Sequence, residues 1–254
     1  MAMTQGTTGS NAADDDDLRN SLTGLSRLAS GRGQRGLEEV LTHVAEFAVG
    51  AIPGADGAGL TLFQDDRPDT VVATADFVRD VDAIQYGLRE GPCITAAAES
   101  RTVRSSSLGG DRAFPRFGPR AGRLGVHSVL SLPLLAETGT LGSMNVYAHA
   151  RNAFDDRAVE LGELFAVPAA ISVQNAQALS QASRLAAHLQ AALNGRAIID
   201  QALGILMSRA GCTSEEAFER LRVISQTENR KSAVVAQSIV DEAVRRARAR
   251  HSDD

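Results

Sequence analysis

The sequence predicts an α+β protein: an antiparallel-sheet domain, then a long connecting helix, then a small three-helix module. Three observations carry this. Five short runs between residues 57 and 149 are β-branched or alternate apolar with polar residues. From Asp155 onward that texture does not return, and helical spacing continues to Arg209. Two further amphipathic segments, joined by short turns, then supply enough apolar positions for a second small core.

Taken in order, residues 1–36 are rich in Gly, Ser, Asn and Asp, and are expected to form a flexible leader. LEEVLTHVAEFAVGAI places Leu37, Leu41, Val44, Phe47 or Ala48, and Ala51 on one face of a first helix, which Pro53-Gly54 stops. The strand candidates are 57–63, 70–76, 101–105, 126–135 and 141–149. The last two flank AETGT, a loop whose Gly139 suits an antiparallel hairpin. FVRDVDAIQYGL and PCITAAAES read as short helical or irregular pieces between the strands. The sheet domain is thus expected over 37–154 and the connecting helix over 155–195.

Asp155 or Asp156 can cap that helix, and Pro168 is expected to kink or break it, because proline removes a hydrogen bond and clashes with the preceding turn. Leu185, Leu189, Ala192, Arg196, Ile199, Leu203 and Leu206 alternate spacings of four and three, a coiled-coil seam that predicts a homodimer. The simpler alternative is a helix packed on its own domain. Gly211 can end the helix, and Thr213 with Glu216 forms a capping box for the next one. Ala217, Phe218, Leu221, Ile224 and Ser225 give that helix its buried stripe, with Met207 facing the same core. A third helix, 232–246, completes a module over 196–246, followed by a tail at 247–254.

Composition excludes several classes. No long uncharged apolar run occurs, and MAMTQGTTGSNAADDDD lacks the basic start and apolar stretch of a secretory signal, so a soluble, cytoplasmic protein without a membrane partner is expected. Cys93 and Cys212 are distant from each other, and the five histidines are dispersed, so neither a disulfide framework nor a metal site is expected. No phosphate-cradling glycine loop or nucleophile elbow appears, which argues against an enzyme. Residues 1–177 carry 15 basic and 22 acidic side chains, whereas residues 178–254 carry 11 and 9. An acidic front precedes a mildly basic end.

Within that end, an ordered set of short motifs recurs: R-x-x-I from Arg196, A-x-G-x-L-M from Ala202, T-S-E-E-A-F from Thr213, L-R-x-x-S from Leu221 and N-R-K from Asn229. The set resembles the ANTAR domain, a three-helix RNA-binding module of bacterial transcription antiterminators. The sheet domain resembles a GAF domain through V-x-S-V-L-S-L-P-L from Val126 and L-G-x-M-N-V-Y-A from Leu141. The resemblances imply a signal-responsive antiterminator that grips paired RNA hairpins in nascent transcripts, with a small-molecule ligand of the sensor and no certain cofactor.

Arginine suits this task, because its planar guanidinium bonds phosphate, reads base edges and stacks on unpaired bases. The RNA-binding candidates are Arg196, Arg209, Arg222, Arg230 and Lys231, with Gly204 for close approach and Ser225, Asn229 and Ser232 for polar contacts. Arg196 could instead snorkel from the seam, and Arg222 and Arg230 could be ordinary surface charges. Many ANTAR domains carry A-K-G where this chain has Ala202-Leu203-Gly204, and leucine there favours helix association. Cys93, His127 and Tyr147 are the sensor-pocket candidates, Cys93 against the simpler reading of a small buried residue. The competing function is a sensor whose helical tail recruits a protein rather than RNA.

Overall fold

In a computed structural model, residues 6–30, 36–64, 67–137 and 139–251 are described. The chain divides into two compact units, 1–180 and 181–254.

The first unit is built on a five-stranded antiparallel sheet of β1 (Gly57–Gln64), β2 (Arg67–Ala73), β3 (Val103–Ser105), β4 (Ser128–Ala136) and β5 (Gly139–Ala148), in the order β2-β1-β5-β4-β3. Strand alternation sends successive side chains to opposite faces. One face is apolar: Leu60 and Leu62 of β1, Leu130 and Leu132 of β4, and Met144 and Val146 of β5 join one buried cluster. That cluster also takes Leu41, Val44 and Ala48 of α2 (Leu37–Ala51) and Leu161, Phe165 and Ala169 of the helix that follows the sheet. The other face carries α3 (Asp76–Leu88), α4 (Pro92–Glu99) and α5 (Gly118–Arg123), over a cluster containing Val78, Val81, Ala96, Phe117 and Val129. The hairpin expected at AETGT pairs Ala136 with Gly139, and position 138 lies outside the described residues.

Three expectations are corrected. The leader contains a helix, α1 (Gly6–Ser30), whose Leu18, Ser21 and Leu25 are buried. It packs on α2, where Gly24 lies so close to the Phe47 ring that a Cβ would sit 2.5 Å from it. Residues 1–5 and 31–35 of that leader lie outside the described residues. Of the kink or break expected at Pro168, the break does not occur, because the next helix runs continuously as α6 (Asp156–Ala210). Its early turns are not a connector either, because Ala158 to Val173 contribute one face to the sheet domain's core.

The second unit holds the remainder of α6 with α7 (Ser214–Thr227) and α8 (Ser232–His251) around a core of Ala202, Leu203, Ala217, Leu221, Val235 and Ala236. The turn after α6 has Gly211 at φ +61, a left-handed conformation that glycine adopts without Cβ strain. Thr213 accepts from the Glu216 amide at 3.3 Å, and Glu216 accepts from the Thr213 amide at 2.9 Å, so the capping box is formed.

The seam is split by this packing. Ile199, Leu203 and Leu206 face α7 and α8 in the module's own core, whereas Leu185 and Leu189 are 60% and 57% exposed. Leu203 is therefore a core residue and not an association residue. Met207 and Phe218, expected in the core, are exposed at 36% and 48%.

Candidate functional site

The helical module brings most of its candidate residues to one end. Gly195 of α6 lies against Ala233 of α8, with a Cβ at Gly195 meeting that of Ala233 at 3.6 Å. Arg196 therefore projects from the part of α6 that adjoins the α7–α8 turn. That turn is locked from within. Asn229 sits at φ +50, the Arg230 amide donates to Ser225 O at 3.0 Å, and Ser225 Oγ donates to Arg230 O at 2.5 Å. Ser232 Oγ in turn donates to Ser225 Oγ at 3.2 Å. Ser225, Asn229 and Ser232 thus shape the turn that presents Arg230 and Lys231.

The cations differ in how free they are. Arg196, Arg209 and Lys231 are exposed, and their side chains make no hydrogen bond or ion pair among the described residues. Arg222 donates from Nε to Glu219 at 2.9 Å, which lowers the Glu219 carboxyl and raises Arg222 through that bond. Arg230 donates to Glu228 at 2.7 Å and to Ser238 at 2.9 Å. Such exposed pairs contribute little to stability and are readily exchanged for phosphate. Arg209 stands thirteen residues beyond Arg196 on α6, roughly 20 Å at the helical rise, so it belongs near the other turn. Gly204 is exposed, and a Cβ there would meet open space.

The sheet domain contains a second site on the face under α3 and α4. The opposite face of these strands is apolar, yet here Thr61 of β1, Ser131 of β4 and Ser143 and Asn145 of β5 are fully buried. Asp82 of α3 is buried among them. Its Oδ1 accepts from the Tyr147 hydroxyl, from Asn145 Nδ2 at 3.3 Å and from Gln85 Nε2 at 3.3 Å. Gln85 also donates to the Tyr147 oxygen at 2.7 Å and accepts from the Cys93 amide at 3.0 Å, tying α3 to α4 and to the sheet. Tyr86 and Thr61 share a short hydroxyl contact.

Burial governs the protonation of this cluster. Loss of water around Asp82 outweighs its three donors and pushes its carboxyl up to about 7. Burial, and then the Asp82 charge, raise the Cys93 thiol to about 12 and lift Tyr86 and Tyr147 above their usual values. Among the sequence candidates, Cys93 and Tyr147 come together here. His127 does not: its backbone bonds Ala148 and Leu108, and its ring makes no hydrogen bond with the cluster among the described residues. The residues that sequence reasoning missed are Asp82, Gln85, Tyr86 and Asn145. A signal existed, because Asp82 and Gln85 fall in helical phase with Val78 and Val81, on the face that α3 buries.

The sheet domain thus holds a buried polar site, and the helical module presents exposed cations. A GAF domain model matches residues 34–174, more than half of the chain, and an ANTAR domain model matches residues 187–240. The chain belongs to the GAF domain family and carries an ANTAR domain behind that domain. GAF domains are sensor modules, and ANTAR domains are RNA-binding antiterminator modules.

Among solved structures, the GAF domain of a phosphoenolpyruvate-protein phosphotransferase from Coxiella burnetii is 17% identical, covering 66% of this chain and 96% of its own, with a TM-score of 0.49. The free methionine-R-sulfoxide reductase of Neisseria meningitidis is 12% identical, covering 72% and 96%, with a TM-score of 0.49. A domain of a putative two-component sensor histidine kinase from Sinorhizobium meliloti is 18% identical, covering 59% and 98%, with a TM-score of 0.46. No curated protein matches the chain in sequence. Among the described residues, no helix is long and apolar enough to cross a membrane.

Proposed function

We propose that the protein is an antiterminator whose helical module binds paired RNA hairpins, under control of the sensor domain. The observation that carries the reading is the gathering of Arg196, Arg230 and Lys231 around the locked α7–α8 turn, with Arg222 one helical turn from Ser225. Lys231 precedes the N-terminus of α8, whose unpaired amides add positive potential at the same place. Arg209, roughly 220° round α6 from Arg196, and the open surface at Gly204 offer a second contact near the other turn rather than a continuation of the first. The module's single aromatic, Phe218, is half exposed, so base recognition rests mainly on guanidinium groups.

A homodimer belongs to this reading. Leu185, Leu189 and Leu193 are apolar and exposed on α6, and a second copy of the chain covers them. The sensor acts by changing how the two copies pair. The alternative, recruitment of a protein, is favoured by one observation: a groove of about 550 Å³ lined by Leu206, Val223 and Ile224, with Glu216, Glu219 and Arg220 at its margin.

Binding of the full chain to tandem RNA hairpins across a salt series tests the choice. RNA binding gives a steep dependence on salt, and each lost phosphate contact in Arg196→Ala or Lys231→Ala flattens the logarithmic slope by about 0.7–0.9. No selective hairpin at any salt, with a protein partner held at high salt, favours the groove instead.

A further inference from the structure

The Asp82 cluster is a poor way to join a helix to a sheet. The opposite face of the same strands is closed mainly by apolar side chains, and buried polar groups are costly unless every one is paired. Here the pairing is incomplete. Asp82 Oδ2 and Ser131 Oγ are buried without a hydrogen-bond partner, while three donors crowd onto Asp82 Oδ1. Acceptor capacity is left over at Asp82 Oδ2, which lies against Gly59 of β1, where a Cβ would fall 2.6 Å from it.

The sign of the site is also one-sided. Among the described residues Asp82 is its only carboxylate, and the groups bonded to it or to one another are hydroxyls and amides. No Arg, Lys or His side chain bonds a member of the cluster among the described residues. A phosphate or carboxylate ligand would find no counter-charge, whereas a cationic group would find one that lacks a partner. The raised Asp82 carboxyl fits the same picture, because it marks a negative charge that the protein alone does not neutralise.

We propose that the sensor binds a small molecule bearing a protonated amine or amidine, with Asp82 as its counter-ion. The proposal rests on reading the GAF domain as a ligand sensor. Entry is from the side of Tyr86, the one member of the cluster that is not fully buried. Tyr86 and Gln85 lie in the last turn of α3, and the following connection holds Arg89 at φ +52 and Gly91 at φ +155. A Cβ at Gly91 would fall 2.1 Å from Gln85 Oε1, so the backbone there closes directly over the cluster. Gln85 Nε2 donates to Asp82 Oδ1 while its Oε1 accepts from the Cys93 amide, so a ligand that shifts the Asp82 carboxylate also moves the side chain that ties α3 to α4. Ligand recognition and movement of α4 are in this way one event.

The full chain is tested by thermal shift against agmatine, putrescine, histamine and benzamidine in one arm, and cyclic AMP and glucose 6-phosphate in the other. The expected result is stabilisation by a member of the first arm that is lost in Asp82→Asn. Calorimetry in buffers of different ionisation enthalpy adds a second readout. Because binding converts Asp82 to its carboxylate, close to one proton is released per ligand at pH 6 and about none at pH 8. Stabilisation by the anionic arm alone overturns the amine assignment and leaves the ligand sensor standing. Amine binding that is undiminished in Asp82→Asn, or free of proton release at pH 6, overturns it as well. No stabilisation in either arm removes both the assignment and the ligand-sensor reading, while RNA binding is measured separately and is untouched by any of these results.

Discussion

Asp82→Asn should remove most of the acid dependence of the sheet domain's stability. In the folded protein the Asp82 carboxyl is pushed up to about 7, from an ordinary value of 3.8. Between these values the folded state holds a proton that the unfolded state has released, so stability is greatest below the lower value and falls as pH rises towards the upper one. Integrated from pH 5 to pH 8, the loss is about 2–3 kcal/mol, equivalent to roughly 5–10 °C in melting temperature for a unit of this size. The other titratable groups facing Asp82 are Tyr86, Tyr147 and Cys93, all of which are raised and so stay neutral in this window.

The substitution is close to isosteric, and the asparagine oxygen still accepts from Tyr147, Asn145 and Gln85. Tyrosine fluorescence is the appropriate assay. The chain has two tyrosines and no tryptophan, and both tyrosines lie in this cluster, so the signal reports the sheet domain alone. The wild type is expected to lose stability from pH 5 to pH 8, and the variant to be nearly flat. Parallel curves would refute the argument, because Asp82 would then titrate in the folded state as it does in the unfolded chain.

Other expectations concern the remaining elements. Leu25→Ala removes a side chain buried between α1 and the sheet-domain core and should destabilise that unit by about 2–4 kcal/mol, with faster amide exchange in α1. Unchanged exchange would mean that α1 stands apart from the core. Thr213→Ala abolishes the capping box and should lower the stability of the helical module by about 1 kcal/mol, read from the urea midpoint of its helical circular dichroism. Leu203→Lys, which introduces the lysine of many ANTAR domains, should destabilise the module by roughly 1–3 kcal/mol, because the side chain is buried against α7 and α8. An equally stable variant with tighter RNA binding would contradict that placement. Leu189→Glu should convert a dimer to a monomer in sedimentation without changing the melting of either unit, since the side chain is exposed within its own chain.

Local signals in the sequence determined a good deal. The strand runs, the Gly211 turn, the Thr213 capping box and both family resemblances depend on residues adjacent in the chain, and local propensity and short-range hydrogen bonds decide such features. Even α1 had a local trace, in Leu18, Leu22 and Leu25 at helical spacing, but the glycines and aspartates around them suggest disorder. Its burial on α2 was needed to outweigh that composition.

The tertiary structure alone decided which of two faces a residue uses. Asp82 lies 63 residues from Asn145 and 65 from Tyr147, and they meet only because α3 crosses the β1–β5 side of the sheet. In β5, Ser143, Asn145 and Tyr147 alternate with Met144, Val146 and Ala148, a pattern that reads as one buried and one solvent-facing side until helices cover both. The seam shows the same limit. Spacing places Leu189 and Leu203 on one stripe of α6, but α7 and α8 cover only the latter, and no periodicity says where a covering element begins. Periodicity defines a face, and long-range packing determines what that face meets.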